Sequence, residues 1–115
     1  MSAETDLLRR VSAVRGIRGA MVVSAPDGLV VAEALMEGID GRAVAALAAS
    51  LVGRLVRTTA SASLGAPSVV HLRGEHGVLL AVPAGPELLL VAVGDPAANL
   101  GLARLEMLEA ARGMR

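Results

Sequence analysis

The sequence contains no phenylalanine, tyrosine or tryptophan, no cysteine and no lysine. Without aromatic rings there is no platform on which a single-stranded nucleic acid could stack its bases. Without cysteine there are no disulfides and no thiolate chemistry. Without lysine, P-loop phosphate binding and Schiff-base catalysis fall away. Excess charge is missing too, because 11 arginines face 11 Asp and Glu residues for a formal charge of zero. Nucleic-acid affinity rests mainly on neutralised phosphates, so no nucleic-acid partner is expected. Long hydrophobic runs are also lacking. The candidates, Gly77 to Val82 and Leu88 to Val93, are strand-length, well short of the roughly 18 residues a membrane span needs. No direct membrane insertion is therefore expected. The first residues, Met1-Ser2-Ala3-Glu4-Thr5-Asp6, are acidic and lack the basic start of a signal peptide, which makes a cytoplasmic location the expectation.

What is present is apolar and compact in scale. The 115 residues suit one domain, and the whole chain, 1–115, is expected to form it. Hydrophobic residues make up 54% of the chain, above the 45–50% or so of ordinary soluble domains. That excludes disorder. It also implies that a partner covers some apolar surface.

Hydrophobic spacing divides the chain into eight elements. Leu7, Leu8, Val11 and Val14 recur at helical spacing from about Ala3 to Val14, with acids first and arginines last, until Gly16. Two apolar runs, Ala20 to Val23 and Leu29 to Ala32, flank Ala25-Pro26-Asp27-Gly28 and read as a hairpin. A long alanine-rich helix is expected from Asp40, its N-cap, to about Leu64. Gly65-Ala66-Pro67 breaks it. Three strands follow, Ser68 to Leu72, Val78 to Val82 and Leu88 to Val93, joined by turns too short for anything but antiparallel pairing. The last two are apolar on both faces, so helices should cover both sides of the sheet. Asp95 as N-cap and Pro96 at the first helical position are expected to start the final helix, buried through Leu100, Ala103, Met107, Leu108 and Ala111. The order is α-β-β-α-β-β-β-α.

Residues with chemical potential are few and scattered. His71 falls on a strand and His76 in the next turn, and Glu75 alone does not complete a metal site. Asp27 and Asp40 beside glycines read as turn and cap residues. Gly16-x-x-Gly19 precedes a strand, whereas a phosphate-cradling loop opens a helix. No catalytic residue, metal or cofactor is expected, and the chain reads as a non-enzyme. The long helix is more telling. Leu47, Ala48, Leu51, Leu55 and Ala62 fall on one side from Val44. Ser50, Arg54, Arg57 and Ser61 form a narrow polar strip. The remaining arc includes Ala45, Ala46, Ala49, Val52, Gly53, Val56 and Ala60. A helix so apolar all round buries two faces. The expectation is a homodimer through Ala45, Ala49, Val52, Gly53, Val56 and Ala60, joined by the unprotected edge Ser68, Val69, Val70, His71 and Leu72. The strip Ser50, Arg54, Arg57 and Ser61 either solvates an otherwise apolar helix or is the candidate surface for a further partner, since arginine suits carboxylates and phosphates.

These segments resemble the roadblock/dynein-light-chain domain family, especially its bacterial MglB-like members. The matching text is Leu7-Leu8, Gly16 to Val23, Asp27 to Ala32, the alanine-rich helix, Leu88 to Val93 and Asn99 to Arg104, spanning about residues 5–112. The resemblance implies a profilin-like α/β (α+β) sandwich. Its five-stranded antiparallel sheet would run in the order 2-1-5-4-3, with helix two on one face and helices one and three on the other. It also implies dimerisation through helix two and the strand after it, and binding of a small Ras-like GTPase. Two functions follow as expectations. One is a regulator that stimulates hydrolysis, or holds one nucleotide state, without an arginine finger. The alternative is a scaffold subunit that leaves turnover unchanged.

Overall fold

Residues 3–114, which the computed structural model describes, form three helices and five strands: α1 (Ala3–Ser12), β1 (Ile17–Ser24), β2 (Val30–Leu35), α2 (Gly41–Ser61), β3 (Val70–Arg73), β4 (Val78–Ala84), β5 (Leu88–Gly94) and α3 (Leu100–Gly113). Every strand pair is antiparallel, in the order β2-β1-β5-β4-β3. Strand side chains alternate between the two faces. One core therefore takes Ala20, Val22, Leu90 and Ala92 with Leu8 and Val11 of α1 and Ala103 and Met107 of α3. The other takes Met21, Val23, Leu89 and Val91 with Ala45, Ala48 and Val52 of α2. The expected order of elements, sheet and two-sided cover is what the chain adopts.

Turn chemistry fixes the β1–β2 hairpin. Gly28 has a φ of +72°, a conformation open to glycine at little cost. The Asp27 carboxylate accepts the Leu29 N–H at 3.1 Å. Register slips once between Val22 and Val23, which pair with Ala32 and Val30, leaving Val31 as an extra residue on β2. That is a β-bulge on the outer strand.

Several element boundaries shift by a few residues from the sequence expectation, and two of the shifts bear on the chain's course. β3 begins at Val70, two residues after Ser68. More consequentially, Asp95 does not cap the last helix, which starts at Leu100 with Asn99 accepting the Leu102 N–H at 3.2 Å. The intervening backbone is tied to the start of β1. Asp95 N–H donates to the Gly16 carbonyl, Ala98 N–H to the Asp95 carbonyl and Asn99 N–H to the Arg15 carbonyl. The Asp95 carboxylate lies 3.6 Å from the Arg18 guanidinium instead. Asp-Pro here makes a turn that lets the chain cross close over Gly16. A Cβ on Gly16 would stand 2.5 Å from the Ala98 Cα, and its φ is +88°.

Candidate functional site

Helix α2 begins at Asp40, whose carboxylate accepts the Ala43 N–H at 3.1 Å. Its length and apolar composition alone would suit a membrane span. Instead Gly41, Ala45, Ala48 and Val52 form a stripe buried on the sheet. At 100° per residue, Ser50, Arg54, Arg57 and Ser61 point the opposite way, and all four are exposed. The structure thus brings the expected partner strip together on the outward face. α2 carries Arg42, Arg54 and Arg57 and no acidic residue. Among the described residues, the ion pairs include neither Arg54 nor Arg57. The strip is therefore cationic. The Ser61 hydroxyl is turned inward, donating to the Arg57 carbonyl at 3.2 Å.

The arc expected to meet a second copy is divided. Ala45, at 0% exposure, and Val52, at 5%, lie in the chain's own core, and so does Val70 of β3. These three have no surface to offer, which corrects the expectation. Their small side chains let α2 lie close on the sheet, so the buried stripe sits to one side of the leucines. Ala49 and Gly53 are half-buried, while Val56 and Ala60 are exposed. Ser68, His71 and Leu72 are exposed, and Val69 is half-buried against the α1/α3 core. On the side that spacing groups with Val44, Ala48 is buried, but Leu47 is 49% exposed, Leu51 and Leu55 are half-buried, and Ala62 is exposed.

A cleft flanks α2 on each side. One, of about 400 Å³, joins Val44 and Leu47 to Leu72, Leu79 and Val93, with Arg18 and His76 also lining it. At helical spacing Leu51 and Leu55 share the Leu47 side, so this flank runs toward the β3 edge. The second, of about 560 Å³, lies between the later half of α2 and three connections of the chain, and Pro26, Pro67, Pro83 and Pro86 all line it. Ala49, Val52, Gly53, Val56 and Arg57 are its α2 wall. Sequence reading missed this cleft because its prolines lie far apart along the chain and converge only through the sheet.

The remaining polar candidates are structural. The Leu29 N–H, assisted by the Ser24 side chain, holds the Asp27 carboxyl below its ordinary value. His76 and Glu75 are almost fully exposed and 3.9 Å apart. Among the described residues no three His, Asp or Glu groups cluster to hold a metal ion.

The architecture recurs in known proteins. An uncharacterized protein of Methanocaldococcus jannaschii is 38% identical over 109 residues, covering 95% of this chain and 94% of its own. The gliding protein MglB from Thermus thermophilus matches with a TM-score of 0.84 at 22% identity, across 97% of this chain and 85% of that one. Profilin II of Acanthamoeba castellanii matches with a TM-score of 0.55 at 18% identity, across 94% and 90%. At such identities the two structural likenesses are of fold, MglB-like and more distantly profilin-like. A model of the Roadblock/LC7 domain matches residues 4–94, and the chain belongs to that family.

Proposed function

We propose that the protein is a homodimeric regulator of a small Ras-like GTPase, with the outward face of α2 as its docking platform. The observation that carries this reading is the cationic strip Ser50, Arg54, Arg57 and Ser61, exposed on a helix that holds no acid. Two copies pair through the open edge of β3 and the adjoining flank of α2, where Leu47 and Leu72 line one cleft and Leu51 and Leu55 follow Leu47 along the same side of the helix. The leucine flank suits a two-fold contact, whereas arginine strips facing each other across the axis would repel. Dimerisation then sets two strips side by side on one broad surface. The GTPase supplies carboxylates to the arginine forks, whose stems cover apolar surface. Arg54 and Arg57 are fixed to a helix, so stimulation works by reshaping the partner's own switch loops and not by inserting a finger.

Sedimentation at micromolar concentration tests the dimer. The wild type is expected as a dimer and Leu47→Asp as a monomer, since an unpaired charge in an apolar contact costs several kcal/mol or so. The regulatory role is tested by pull-down from the native host, followed by GTP hydrolysis with the recovered GTPase. Stimulation that survives Arg54→Ala supports the reading, because a lost finger typically costs about 10³–10⁵ in rate. A turnover rate that ignores the bound protein replaces regulation with scaffolding.

A further inference from the structure

The proline-walled cleft lies on the flank of α2 away from the dimer contact proposed above, and Ala49, Gly53 and Val56, expected from sequence in that contact, line the cleft instead. Four features of it call for an occupant. Gly53 lies inside the helix, where glycine weakens the structure. Nothing in the fold needs it there, since an added Cβ would meet only the tip of the Arg57 side chain, at 3.9 Å. Pro26, Pro67, Pro83 and Pro86 give the cleft rigid walls. Proline has no N–H to strand and almost no rotamer freedom to lose, so an apolar group covers such walls at low cost. Among the described residues, Arg57 is the one charged residue lining the cleft, and it belongs to the outward strip. At about 560 Å³ the space is of ligand-pocket size.

We propose that this cleft seats a large apolar side chain of the protein partner, flanked in that partner by a carboxylate that pairs with Arg57. The inference rests on the docking platform above and adds a point of anchorage to it. A single charge at the rim of an apolar, preformed recess favours an acidic–apolar segment, and a basic one is turned away by Arg57. The anchor fixes where the partner sits along the helix. The strip alone, a row of flexible surface arginines, does not.

The test titrates the intact isotope-labelled protein by NMR with acetyl-Glu-Leu-Glu-amide and with the charge-reversed acetyl-Lys-Leu-Lys-amide. The acidic peptide is expected to shift the Gly53 amide and the Val56 and Leu89 methyls in a saturable way, and the lysine peptide to leave them in place. Arg57→Gln should weaken the acidic peptide about 2–5-fold, the range of an exposed ion pair. Gly53→Leu has room on the helix and fills the cleft, so it should abolish the shifts with helical circular dichroism retained. Absent shifts, or equal responses to both peptides, overturn the proposal. A second arm titrates the recovered GTPase. Equal binding to the wild type and to Gly53→Leu overturns the cleft while leaving the platform intact. Failure of the GTPase to bind at all removes the platform reading, and the peptide arm still decides the cleft.

Discussion

The two faces of the sheet are finished differently. On one, α1 and α3 together close over Ala20, Val22, Leu80, Val82 and Leu90, and Val11, Ala103 and Met107 are completely buried there. On the other, a single helix of mostly small side chains covers a sheet of the same width, leaving a cleft on each flank. The closed face holds the fold together. The half-covered face spends less on internal packing and keeps leucines, arginines and an open strand edge available to other molecules. Under the function proposed above, stability and recognition fall on opposite sides of one sheet.

Substitutions can break that division or sharpen it. Met107→Ala on the closed face should cost about 2–5 kcal/mol, whereas Leu47→Ala, half-exposed on the other face, should cost less than about 1 kcal/mol in a chain kept monomeric. Urea unfolding of both would show it, and equal costs would erase the distinction between the faces. Gly16→Ala attacks the junction where the chain enters α3. With its positive φ and the Ala98 backbone 2.5 Å from the new Cβ, a loss of about 2–4 kcal/mol is expected in the same measurement. Gly53→Ala should act the other way, raising the urea midpoint by the equivalent of about 1 kcal/mol, because the helix gains and no neighbour is crowded. The smallest effect lies in the hairpin turn. The Asp27 carboxyl is held below its ordinary value by the Leu29 N–H, so it contributes stability above the ordinary value and loses it as pH falls through the depressed folded value. Asp27→Asn should therefore flatten the acid limb of a stability–pH curve below about pH 4, with little other change.

Strands and turns were legible in the chain because their signals are local and unambiguous. Pro26-Asp27-Gly28 allows few conformations, and runs such as Leu88 to Val93 fit only a doubly covered strand. The arginine strip was legible too, since four polar residues at helical spacing on an apolar helix must face outward. The orientation of the rest of α2 was not. With small alanines, glycines and hydroxyl residues spread around α2, hydrophobic contrast around the helix is weak, and the leucines drew attention toward the flank. The start of α3 was obscured because Asp-Pro signals a tight turn as readily as a helix start. Only the hydrogen bonds back to Arg15 and Gly16 decide between the two.

The bulge at Val31 bears on how large an assembly can grow. A sheet with two equally open edges can add copies at both ends and run on into a fibre. Here the β2 edge is kinked by its extra residue, and Glu33 stands exposed along it, so further strands find a poor template there. The β3 edge carries no such irregularity in its register. In the dimer proposed above, pairing through β3 would use the regular edge of each copy. The joined sheet would then end in a bulged β2 at either side, and growth by strand addition would stop at two.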